Sequence, residues 1–205
     1  MSFAGGRGVG VGVRGRSLSA MRLFIGIALA SDASDALARI GAQFVATSSD
    51  LRWPARESWH VTLQFLGKAT AEQAACVTER LRAVRAAAVP VRIDGLGLFE
   101  RAGVFHAGVE LTPELLALQQ RVVAATRGCG FLPEERAYHP HITLARVKGR
   151  GGGEALRTLR AAVERARFAL HADFLAEEFL LYESVPEAGG SRYLVVERFS
   201  LNGGE

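Results

Sequence analysis

The 205-residue sequence predicts an α/β (α+β) protein with a duplicated fold. Three observations lead there. Strands and helices follow one another in an order that recurs halfway along the chain, the signature of an internal repeat. The stretches "WHVTLQFLGK" and "PHITLARVKG" fall at matching places in the two copies. Hydrophobic residues make up 49% of the chain and charged residues 22%, which suits one compact unit or two small lobes sharing a core.

The elements can be taken in order. Met21 opens a strand, "MRLFIGIAL", and a helix near 32–46 follows. Ser31 is its expected cap, with Leu37, Ile40 and Phe44 as the apolar stripe. A turn-rich stretch with Trp53-Pro54 leads to a strand at 60–66. Thr70 starts a helix to about residue 87, because Gln73 completes a capping box with it. Val77, Leu81 and Val84 mark its inner face. Strands near 89–98 and 103–111 come next. Thr112-Pro113, a cap followed by proline at the first helical position, opens a helix to Gly128 with Leu115, Leu118 and Val122 inward. The second copy then supplies a strand at 140–147, a flexible break at Gly149 to Gly153 and a helix near 154–167. Two long strands near 171–183 and 192–201 complete it.

Several function classes fall away. No apolar run approaches the ~20 residues that span a bilayer, so no membrane partner is expected. Cys76 and Cys129 match no metal spacing and read as small buried hydrophobes of a reducing, cytoplasmic compartment rather than a disulfide. Residues 1–20 form a Gly/Arg-rich extension without helical or strand period, expected to be disordered, and translation could equally begin at Met21. Residues 21–205 then form a single bilobal domain, expected to be monomeric. The extension carries Arg7, Arg14 and Arg16 and no acid, so without it the net charge of +4 falls to +1. Phosphate binding by the body must therefore come from a local site and not from a basic surface.

The repeated motif is where chemistry concentrates. His60-Val61-Thr62-Leu63 and His141-Ile142-Thr143-Leu144 are one pattern written twice, 81 residues apart. In a strand, positions i and i+2 share a face, so each histidine points with its threonine. One such pair could be ordinary polar packing on a half-solvated sheet; two at matching places argue for a site. Metal binding is the second alternative, since His139 and His141 flank Pro140, but no third ligand is well placed and zinc usually takes three or four. His106 and His171 read as structural. Trp53 and Trp59 could stack a base, though core or rim suits them better. Two imidazoles across a cleft suit acid–base catalysis near neutral pH. Each threonine hydroxyl can donate to a phosphoryl oxygen. Arg146, five residues past His141, can add a planar donor fork.

Paired His-x-Thr-hydrophobic motifs resemble the two-histidine phosphoesterase superfamily. The fuller match is similar to the bacterial RNA 2′,3′-cyclic phosphodiesterases, historically called 2′-5′ RNA ligases. It covers nearly all of 21–201, including "RLFIGIAL", "LRWPARESWHVTLQFLG", "GLGLFERAGVFHAGVE", "YHPHITLARVK" and "SRYLVVERFSL". The resemblance implies a bilobal α/β fold, two antiparallel-rich sheets with outer helices around a central cleft that holds both histidines. It also implies hydrolysis of RNA 2′,3′-cyclic phosphate ends to 2′-phosphates with no metal or cofactor. It implies His60 as proton donor, His141 as proton acceptor, and Thr62 and Thr143 as phosphate ligands. His106 and His139 depart from residues common in the family, which bears on base preference and flanking contacts. Two other readings remain at this level: action on 2′-5′ linkages or other cyclic nucleotides, and a catalytically silent RNA-binding module.

Overall fold

The computed structural model describes residues 20–46, 49–148, 153–165, 172–187 and 190–202. The extension before Ala20, most of the Gly149–Gly153 break, and His171 lie outside the described residues.

The first copy runs through β1 (Met21–Ala28), α1 (Ser31–Val45), β2 (Leu51–Arg52), β3 (His60–Ala69), α2 (Ala71–Arg82), β4 (Val89–Val91) and β5 (Ile93–Phe99). The second runs through β6 (Val104–Val109), α3 (Pro113–Arg127), β7 (His141–Val147), α4 (Gly153–Arg165), β8 (Phe174–Ala176), β9 (Glu178–Glu187) and β10 (Gly190–Ser200). Two expected helix starts hold. Thr70 and Gln73 form the reciprocal capping box of α2, and the Thr112 hydroxyl accepts from the Leu115 amide ahead of Pro113. The Ser31 cap does not form. Ala30 holds that position without a side-chain bond, and Ser31 is already the first helical residue, its hydroxyl turned to Asp32.

Seven strands form one path, β10-β9-β1-β3-β7-β6-β5, with β2 added against β7, while β4 and β8 make a small separate sheet. All pairings are antiparallel. The two halves of the large sheet meet through a single residue pair, Val61 with Ile142. Because the motif residues of β3 and β7 pair with each other, and β4 likewise pairs with β8, a pseudo-twofold axis passes between the copies.

The copies also trade strands. β5 follows α2 of the first copy but pairs with β6 of the second. β9 follows β8 of the second copy but pairs with β1 of the first. Each lobe is therefore completed by a strand from the other repeat. On one side of the sheet, Val61, Leu63, Ile142 and Leu144 join Leu37, Phe44, Val77, Leu115 and Leu159 of the helices in one core. The other side carries a smaller cluster of Phe24, Leu180 and Tyr182 with Ala28 and Tyr193 packed against it.

The cysteine expectation is overturned. Cys76 of α2 and Cys129, just beyond α3, form a disulfide across 53 residues of chain, with Cα atoms 5.8 Å apart. The packing of α2 on α3 brings the two backbones within bridging range, which no local sequence pattern encodes. Trp59 is also settled as core, whereas Trp53 lines the cleft. Among the described residues no helix is long and apolar enough to cross a membrane.

Candidate active site

The antiparallel register about Val61 and Ile142 sets His60 across from Thr143 and His141 across from Thr62. Both middle residues are fully buried on the core side, so their neighbours face the opposite way. His60, Thr62, His141, Thr143 and Arg146 all line one cleft of about 660 Å³. The β2 rim and the β9–β10 hairpin contribute Arg52, Trp53, Ser184, Glu187, Arg192 and Tyr193.

Each histidine is anchored in the same way. Nδ1 of His60 lies 2.7 Å from the Ser58 carbonyl, and Nδ1 of His141 lies 2.8 Å from the His139 carbonyl. A carbonyl can only accept, so Nδ1 must carry the proton in both rings. The bond also fixes the ring, as second-layer bonds to catalytic and metal-bound imidazoles do. Nε2 is thereby left as the ring atom free to take or give a proton. Tyr138 ties the lobes together by donating its hydroxyl to the Thr62 carbonyl at 2.9 Å. Burial raises its own proton affinity well above the tyrosine range.

A strict strand alternation would place Gln64, not Phe65, beside His60 and Thr62. The structure reverses this. The β1–β3 register slips between Ile25 and Gly26, so Leu63 and Gln64 are both buried and Phe65 returns to the cleft face, 55% exposed. Gln64 turns inward because its Oε1 accepts from the Thr126 hydroxyl of α3 at 2.7 Å. The same slip occurs in β6–β7 between Phe105 and His106. Leu144 and Ala145 are both buried there, and Arg146 comes up into the cleft. Such bulges re-aim side chains beside functional sites. Phe65 and Arg146 are thus equivalent positions of the two copies, each five residues past its histidine. Sequence reasoning passed over Phe65; the signal available was the matching offset.

The surroundings of the two rings differ. His60 sits against Phe24 at 4.7 Å between ring centroids, with Tyr193 edge-on at 5.2 Å and Tyr182 at 5.9 Å. Gly26, paired with Thr62, leaves that space open, since a Cβ there would come within 2.8 Å of the Val61 carbonyl and 3.4 Å of the His60 ring. This enclosure pulls the His60 pKa down to about 4, first by burial and then by the charges of His141 and Arg146, against the stabilising Ser58 bond. His141 meets Phe99 at 4.8 Å and His106 at 5.5 Å. Its proton affinity is lowered as well, by burial first, with Arg146 and His139 adding to it and the His139 carbonyl opposing. His106 stacks on Phe99 at 4.1 Å, and burial holds its pKa near 4. Among the described residues no three His, Cys, Asp or Glu side chains are grouped to hold a metal ion.

The sequence model of the 2′-5′ RNA ligase superfamily matches residues 31–184. An Aeropyrum pernix protein called RNA 2′,3′-cyclic phosphodiesterase is 34% identical over 117 residues, covering 55% of this chain and 66% of that protein. A Geobacillus stearothermophilus protein of the same name is 35% identical over 148 residues, covering 68% of this chain and 47% of that one. The chain thus spans about two thirds and about half of these relatives. The crystal structure of Escherichia coli LigT complexed with 3′-AMP superposes with a TM-score of 0.73 at 24% identity, covering 89% of this chain and 98% of LigT, a likeness of fold.

Proposed function

The chain belongs to the 2′-5′ RNA ligase superfamily, and on that premise we propose that it hydrolyses RNA 2′,3′-cyclic phosphate ends to 2′-phosphomonoesters without a metal. The observation that carries this reading is the crossed pair of imidazoles: both hold their proton on Nδ1 and face one cleft with Nε2. Nε2 of His141 takes a proton from water as its oxygen bonds to phosphorus. The P–O3′ bond breaks on the opposite side, and O3′ takes the proton of His60. The 2′-phosphate is the product, and one catalytic cycle exchanges one proton at each ring. Thr62, Thr143 and Arg146 hold the non-bridging oxygens, where donors aimed at developing charge lower the barrier most.

With both proton affinities depressed below the ordinary histidine value, the two rings are neutral at pH 7 in the free protein. A bound phosphodiester brings a negative charge that favours the imidazolium form of one of them. The acid thus charges when there is something to protonate, and its low pKa makes it a strong donor once charged. The roles of His60 and His141 follow the family pattern. We further propose that residues 21–205 act as one monomeric domain.

Incubation with an oligonucleotide ending in a 2′,3′-cyclic phosphate, in excess EDTA, tests the reading directly. A 2′-phosphate product is expected. A 3′-phosphate, or activity restored only by a divalent ion, would overturn it; tight binding without turnover would support the silent RNA-binding alternative.

A further inference from the structure

The cleft carries more positive charge than one phosphate needs. Arg22, Arg52, Arg146 and Arg192 line it, against Glu187 as the one carboxylate among its lining residues. The body of the protein is otherwise close to neutral, so its excess charge is concentrated here. Arg52 stands directly across the β2–β7 ladder from Arg146. Like charges so opposed destabilise a sheet, and among the described residues Arg22, Arg52 and Arg146 are in no ion pair. Arg192 is paired with Glu187 at 3.0 Å. The Arg52 guanidinium reaches from its own lobe to the start of β10, where its Nε, Cζ and Nη1 would each lie 4.0 Å from a Cβ placed on Gly190. The two residues are thus paired across the ladder, the Arg52 guanidinium standing at the rim beside Gly190 while Arg146 lines the cleft with the His–Thr pairs.

This arrangement suits two phosphates and not one. We propose that Arg52, assisted by Arg22 and Arg192, holds the phosphate joining the terminal nucleotide to its upstream neighbour, so that the preferred substrate is the end of an RNA chain rather than a free cyclic mononucleotide. The proposal rests on the activity proposed above. A cyclic mononucleotide offers a single phosphodiester, which Arg146 and the two threonines can hold. An RNA end adds a second phosphate on the 5′ side of the terminal ribose, and that anion offsets the repulsion between Arg52 and Arg146.

The test compares kcat/KM for a 2′,3′-cyclic mononucleotide and for a trinucleotide ending in the same cyclic nucleotide, at two salt concentrations. Wild-type protein should prefer the trinucleotide by roughly tenfold or more, the range of one charge-assisted hydrogen bond. Arg52→Ala should collapse that preference, and Arg52→Lys should restore part of it because a point charge cannot fork. In Arg52→Ala the slope of log KM against log salt for the trinucleotide should fall by roughly 0.7 for each phosphate that the cleft no longer neutralises. Equal kcat/KM for the two substrates in wild-type protein, or equal losses on both in Arg52→Ala, would overturn the subsite while leaving the hydrolytic activity standing. Hydrolysis of neither substrate by wild-type protein would overturn that activity and this subsite with it.

Discussion

His60 and His141 occupy the same place in two copies of one motif, with the same backbone anchor, yet their neighbourhoods differ in kind. The first lobe encloses its histidine with Phe24, Tyr182 and Tyr193 and raises Phe65 on its bulge. The second sets its histidine beside His106 and Phe99 and raises Arg146 at the equivalent bulge. In the proposed reaction, duplication supplies two matched proton carriers and divergence around them supplies direction. A symmetric cleft would accept a cyclic phosphate in two orientations, whereas on the proposed reading an aromatic on one side and a guanidinium on the other would distinguish base from phosphate.

The largest effect should come from the rings themselves. His60→Ala and His141→Ala should each lower kcat by roughly 10²–10⁴, with the double variant costing less than the product of the two because the groups act as a unit. A cyclic phosphate with a good leaving group separates them. It needs little protonation, so His60→Ala should be largely rescued and His141→Ala should stay inactive. Equal rescue would show that the two lobes do not divide the work.

Arg146 comes next. Arg146→Ala should raise KM by roughly 10–100-fold with a smaller change in kcat, and Arg146→Lys should recover part of the loss. Steady-state kinetics on one cyclic substrate decide this, and unchanged values in both variants would leave the second bulge without a role. Thr62→Val and Thr143→Val should cost less again, roughly 3–10-fold each, since each removes a single neutral donor. A loss as large as that of a histidine variant would mean the hydroxyl takes part in proton transfer.

The smallest effect is the most diagnostic of the comparison. For the free enzyme the acid limb of kcat/KM should follow the more depressed ring, His60, near pH 4. The alkaline limb should follow His141, below 6.5. Tyr193→Ala opens one wall of the His60 enclosure, so water favours the charged ring and its pKa rises toward the ordinary value. The acid limb should move up and the alkaline limb stay in place. The same burial has a stability counterpart. Between pH 6.5 and 4 the unfolded chain binds protons that folded His60 refuses, so Tm should fall as pH falls through that window, and His60→Phe should flatten the fall.

The repeated His-x-Thr-Leu pattern was legible because it is local: period-two alternation and an offset between copies need no knowledge of tertiary contacts. The caps at Thr70 and Thr112 were legible for the same reason. What escaped depends on partners distant in sequence. Alternation assigns Gln64 to the cleft and Phe65 to the core; the hydrogen bond from Thr126 reverses them. The odd offset from His141 to Arg146 fits the cleft face only through the bulge at Leu144 and Ala145. The Cys76–Cys129 bond follows from how α2 meets α3, and the opposition of Arg52 and Arg146 from a two-residue strand too short to leave a periodic signal.

The exchange of strands between lobes also bears on how the chain can be made. β1 is made well before its neighbour β9, which is encoded some 150 residues later, and β10 follows β9. Until both arrive, the cleft-side cluster under His60 lacks Leu180, Tyr182 and Tyr193, and an apolar sheet edge stands open on the nascent chain. Pairings of such sequence separation are slow to form and vulnerable while they wait. Neither repeat can mature ahead of the other, so the protein should acquire its structure only once β9 and β10 have been made, in one late and cooperative step.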